Sequence, residues 1–106
     1  MQIQFKTDHN IAAHERLAEH VRGVVEHALD RFRDRITRVE VHVSDESAEK
    51  VGHEDKRCVM EARVEGRQPT AVRHHAPTLE QAVHGAADKL ERSLEHLLER
   101  LHGHRG

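Results

Sequence analysis

The stretch Ile36-Thr37-Arg38-Val39-Glu40-Val41-His42-Val43-Ser44 decides the fold. Val39, Val41 and Val43 recur at every second residue, which puts the valines on one side of an extended strand and Glu40 and His42 on the other. Downstream, Cys58, Met60, Ala62 and Val64 keep the same period within a second stretch from Lys56 to Glu65. The turn Gly66-Arg67-Gln68-Pro69 then leads into a short strand, Thr70 to His75, and Pro77 closes the strand region. At the other end of the chain, Gln2 to Lys6 alternates as well and aims Ile3 and Phe5 at the core.

Two helical patterns bracket these strands. Leu17, Val21, Val24, Val25, Ala28, Leu29 and Phe32 step by threes and fours, as do Leu79, Ala82, Val83, Ala86, Ala87, Leu90, Leu94, Leu97, Leu98 and Leu101. Such spacing gathers each set onto one stripe of a helix, so each helix has one face to bury. The first helix is expected from about Ala12 to Arg33, with Gly23 inside it, and the second from Thr78 to about His102. Thr78-Leu79-Glu80-Gln81 reads as a capping box, and Gly103 offers a C-terminal cap. The order is β-α-β-β-β-α, an α+β two-layer sandwich with a four-stranded sheet and both helices on one face. The first two strands are separated by a helix and can therefore pair in parallel through a right-handed crossover.

A chain of 106 residues supports one domain, spanning 1–106, and buries roughly two-thirds of the surface that it exposes when unfolded. Phe5 and Phe32 are its only aromatic residues, which argues against stacking platforms for unpaired bases. The formal charge is −2 but unevenly spread: from Asp45 to Asp55 five acids face Lys50 alone, whereas Arg31, Arg33, Arg35 and Arg38 cluster around Asp34 at the end of the first helix. The sheet face turned away from the helices carries Gln4, Lys6, Arg38, Glu40, His42, Arg57, Glu61, Arg63 and Arg73, a solvated surface on this reading. Cys58 is the single cysteine and has an apolar strand position, so it reads as a small buried hydrophobe in a reducing compartment. With neither an apolar run of membrane length nor a leader-like start, a cytoplasmic, membrane-free protein is expected.

The twelve histidines raise the question of metal. His74-His75 and His102-x-His104 could chelate weakly, but no His pair is spaced four apart on either helix and Cys-x-x-Cys is missing, so no metal site and no cofactor is expected. Neither a nucleophile elbow nor a phosphate-cradling glycine loop is present, and an enzyme is not expected. Basic helix residues (Arg22, Arg31, Lys89, Arg92 and Arg100) remain as candidates for contacts to the phosphates of a structured RNA.

Within the second helix, Asp88-Lys89-Leu90-Glu91-Arg92-Ser93-Leu94 resembles the D-K-L-x-R-Q-L run of the ribosome hibernation factors, also called ribosome-associated inhibitors or sigma-54 modulation proteins. Met1-Gln2-Ile3-Gln4-Phe5, Leu29-Asp30-Arg31-Phe32 and the Ile36 to Val43 strand fall where that family has theirs, so the resemblance covers nearly the whole chain. It implies a fold similar to a double-stranded-RNA-binding domain. It also implies a short-form translation inhibitor that sits in the mRNA and tRNA channel of the small ribosomal subunit during stress or stationary phase, with rRNA and not DNA as its partner.

Carried over by position, the resemblance makes Lys89, Arg92, Arg31 and Arg22 the rRNA contacts. Ala28 and His96 stand where Lys is common in the family. With His20 and His27, His96 suggests binding that strengthens as the pH falls from about 7.5 to 6, where exposed imidazoles gain charge. The alternative is a protein-interaction module on the same fold that has lost strong rRNA binding.

Overall fold

The computed structural model describes residues 1–8, 14–45 and 56–102. Its elements are β1 (Gln2–Thr7), α1 (His14–Ala28), a 3-10 helix (Asp30–Arg35), β2 (Ile36–Asp45), β3 (Lys56–Val64), β4 (Thr70–Ala76) and α2 (Leu79–His102). The strands form one sheet in the order β1-β2-β3-β4, with β1 parallel to β2 and the other neighbours antiparallel. The acidic stretch beyond Asp45 and the glycine at 103 lie outside the described residues.

The alternation read from the sequence sets the register. Ile3, Val39 and Ala62 align across three strands; Phe5, Val41, Met60 and Val72 align across four. Val39, Val41, Val43, Cys58, Met60 and Ala62 are fully buried beneath the helices or nearly so, together with Val21, Val25, Val83, Ala86, Leu90 and Leu94. Burial pushes the Cys58 thiol up to about 12, because the thiolate would lose its hydration there. Leu97, expected beside Leu90 and Leu94, packs only half-buried at the border of the core, while Leu98 is buried.

Strict alternation would send Ile36 to the face opposite Val39. A bulge between Ile36 and Arg38 corrects this: Ile36 pairs with Val64 and Arg38 with Arg63, leaving Thr37 extra. The Thr37 hydroxyl donates to the Arg63 carbonyl at 3.2 Å, and Ile36 turns inward to 3% exposure.

The first helix ends earlier than the apolar spacing predicts. The Leu29 N–H still bonds the Val25 carbonyl four residues back, but the Phe32 N–H bonds Leu29, three back, both at 2.9 Å. The chain tightens into a 3-10 helix, which buries Leu29 and Phe32 before β2 begins. At α2 the expected cap forms, with the Gln81 N–H donating to Thr78 Oγ1 at 3.1 Å. The Thr78 hydroxyl in turn donates to Gln81 Oε1 at 3.2 Å.

Candidate nucleic-acid interface

Helical periodicity splits the outer surface of α2 into two stripes. Lys89, Arg92 and His96, at i, i+3 and i+7, share one exposed stripe. Lys89 fixes where it lies, because its ammonium donates to the Arg73 carbonyl of β4 at 2.9 Å. The basic stripe therefore runs along the side of α2 that borders the edge strand. His84, Ala87, Asp88 and Glu91 form the other stripe, which lines an open groove against Glu19, His20, Gly23, Val24, His27 and Ala28 of α1.

Among the described residues that line the groove, the charged and titratable ones are acids and imidazoles, with no Lys or Arg. The His20 and His84 rings lie 5.5 Å apart, and His20 Nε2 approaches Glu80 at 3.7 Å. His20 and His27 thus share a groove with Glu19, Asp88 and Glu91, whereas His96 sits with Lys89 and Arg92. The three imidazoles expected to act together do not form one patch. His84, which meets His20 across the groove, was not legible in the sequence, since only the packing of α1 on α2 brings the two helices together.

Arg31 is engaged within the fold. Its guanidinium lies 3.6 Å from Glu91 and 3.5 Å from Glu95 and sits 4.6 Å above the Phe32 ring, tying the 3-10 helix to α2. Arg22 is exposed on α1, outside the groove, on a stripe shared with Glu15 and Glu26. The structure therefore brings Lys89, Arg92 and His96 together and leaves Arg22 and Arg31 apart from them.

His74 and His75 do not converge on a metal, because neighbours along a strand point to opposite faces. His74 pairs with Cys58 on the helix-facing side and His75 with Arg57 on the other. His104 lies outside the described residues. Among the described residues no group of three or more His, Cys, Asp or Glu side chains is placed to hold a metal ion, and no helix is long and apolar enough to cross a membrane.

The open sheet face displays four transverse rows. Gln2, Arg38 and Arg63 form one; Gln4, Glu40, Glu61 and Ala71 the next. Lys6, His42, Val59 and Arg73 form the third, and Ser44, Arg57 and His75 the fourth. Arg38 pairs with Glu40 at 2.7 Å.

The family described as "Sigma 54 modulation protein / S30EA ribosomal protein" matches residues 3–102. Among solved structures, the chain is similar to the N-terminal domain of Protein Y from Thermus thermophilus. The two share 18% identity with a TM-score of 0.72, over 92% of this chain and 99% of that one. It is also similar to a ribosomal subunit interface protein from Coxiella burnetii, at 17% identity and a TM-score of 0.66, over 92% of this chain and 97% of that one. At such identities the likeness is one of fold. No curated protein matches by sequence.

Proposed function

The chain belongs to the sigma-54 modulation protein / S30EA ribosomal protein family, and on that premise we propose that this ribosome-associated factor binds small-subunit rRNA and occludes the mRNA and tRNA channel when cells stop growing. The observation that carries this reading is the exposed stripe of Lys89, Arg92 and His96 on α2, within a family match that spans nearly the whole chain. Structured RNA is recognised largely through its backbone and shape, and Lys and Arg on one helix stripe meet successive phosphates and release the counterions condensed there, which favours binding. No bond is made or broken: the protein acts in the cytoplasm by occupying a site that mRNA and tRNA need.

Arg22 and Arg31 belong to this proposal in different ways. Arg22 offers a separate contact on α1, and Arg31 reaches rRNA only by exchanging its two carboxylates for phosphate. Lys89→Glu combined with Arg92→Glu is expected to abolish co-sedimentation with purified small subunits while leaving the circular dichroism spectrum unchanged. Co-sedimentation at the wild-type level would remove this stripe from the rRNA contact.

One observation favours the protein-interaction alternative. Glu15, Glu19 and Glu26 outnumber Arg16 and Arg22 on α1, and Glu80, Asp88, Glu91, Glu95 and Glu99 outnumber Lys89, Arg92 and Arg100 on α2. The helix layer is thus net acidic. A stable protein complex indifferent to the Lys89 and Arg92 reversals would support that reading.

A further inference from the structure

We propose that Glu91 and Glu95 are built-in competitors of RNA. They occupy the Arg31 guanidinium in the free protein and set the affinity at which a phosphate displaces them, a role that rests on the reading of ribosomal RNA as the partner.

The placement of the two acids carries the inference. On α2 they lie at i and i+4, with Cβ atoms about 5 to 6 Å apart, and so face one way. Each precedes a member of the basic stripe by one residue, Glu91 before Arg92 and Glu95 before His96. One residue is about 100° around a helix, so both stripes lie on the outer surface and only a short arc separates them. The basic stripe borders β4, where Lys89 bonds the Arg73 carbonyl, whereas Glu91 borders α1 across the groove. Arg31 follows α1 in the chain, and the two carboxylates therefore stand between its guanidinium and the stripe of Lys89, Arg92 and His96.

The geometry fits a competitor rather than a lock. Both carboxylates meet the same nitrogen, Nη2, at 3.6 and 3.5 Å, beyond the roughly 2.7 to 3.2 Å of a well-formed N–H···O bond. The Arg31 side chain is 53% exposed and its partners 36% and 42%, so water screens both pairs. They hold the guanidinium over the Phe32 ring without fixing it there. A phosphate that engages two of the guanidinium nitrogens makes a fork of shorter, charge-assisted bonds and displaces the acids. A phosphate that offers a single oxygen gains little over what it replaces. Glu91 and Glu95 thus make Arg31 selective for a backbone that fits it, because the loss of both pairs is subtracted from every contact that Arg31 makes.

The test is a double-mutant cycle of binding to purified small ribosomal subunits at one pH and one ionic strength. It compares wild type, Arg31→Gln, Glu91→Gln with Glu95→Gln, and the triple variant, with circular dichroism verifying each fold. In the wild-type background Arg31→Gln removes a phosphate contact together with the pairs displaced to make it. Affinity is expected to fall by about twofold there and by about tenfold when the carboxylates are absent, a difference of the size of two exposed ion pairs. An equal cost in both backgrounds, as simple removal of negative charge near RNA would give, would overturn the competition and leave the ribosome reading standing. A larger cost in the wild-type background would also overturn it, since the carboxylates would then be orienting Arg31 toward RNA. A second readout needs no ribosome. The Arg31 guanidinium resonances of the free protein, assigned by their loss in Arg31→Gln, are expected to shift and to exchange faster with water in the carboxylate variant; unmoved resonances would overturn the pairing. Shifted resonances in chains of which none binds subunits would overturn the ribosome reading and the competition with it.

Discussion

α2 runs 24 residues across β3 and β4, whereas α1 runs 15 residues beside β1 and α2, although both carry the same apolar stripe. The two glycines that interrupt these helices show how differently they are held. At Gly85 of α2 an added Cβ would overlap the imidazole of His74, which β4 presents to the helix. At Gly23 of α1 an added Cβ would meet nothing within 4 Å. α2 is fixed to the sheet by a close approach at Gly85, the Lys89 bond to the Arg73 carbonyl and the Thr78 cap. α1 relies on its buried valines and on the 3-10 helix that ends it. Equal periodicity therefore does not mean equal anchoring: packing distance, invisible in a hydropathy pattern, separates the two.

The largest expected effect tests α2 as the principal anchor. Leu94 is fully buried, and Leu94→Ala should cost about 2 to 5 kcal/mol in equilibrium denaturation. An unchanged unfolding midpoint would break the comparison at its root. Gly85→Ala sharpens it, because two opposed terms act at one site. Alanine favours a helix by up to about 1 kcal/mol, but overlap with a packed ring costs about 1 to 3 kcal/mol, so net destabilisation is expected. In a His74→Ala background the overlap is gone and the same substitution should stabilise; a cycle without this reversal of sign would show that the His74 ring does not set the helix-sheet distance. The smallest effect is at Gly23. Gly23→Ala should raise stability by up to about 1 kcal/mol through helix propensity alone, with no change in ribosome binding. A loss of stability there would mean that α1 is as tightly constrained as α2.

Cys58 offers a probe of the same contrast, since it lies on β3 in register with His74, beneath the helix layer. With its thiol pushed up to about 12, the nucleophilic thiolate is scarce at pH 8 while the protein is folded. Thiol-disulfide reagents should react with the native protein far more slowly than in guanidinium. Gly85→Ala should speed the native reaction more than Gly23→Ala does.

Much of the fold was legible because burial imposes periods on the sequence. Val39, Val41 and Val43 declared their face, the apolar steps of Leu79 to Leu101 declared a helix, and Thr78 and Gln81 declared its start. The early end of α1 was not legible, since Leu29 and Phe32 fit an α-helical stripe as well as they fit the tighter turn that buries them. Of the candidate interface, the Lys89-Arg92-His96 stripe could be read from spacing within one helix. The engagement of Arg31 with Glu91 and Glu95 could not, because those partners lie about sixty residues further along the chain.

The sequence by itself determined which residues share a face of each strand and each helix, and thus the β-α-β-β-β-α order and the aliphatic core. Periodicity is a property of the local backbone and needs no partner. Only the tertiary structure decided which faces meet: the bulge at Thr37 that turns Ile36 inward, the His74 ring seated over Gly85, the acidic groove of His20 and His84, and the row that aligns Lys6 with Arg73 across four strands. These depend on register and approach distance between distant segments, which are set by packing and interstrand hydrogen bonds and leave no period in the sequence.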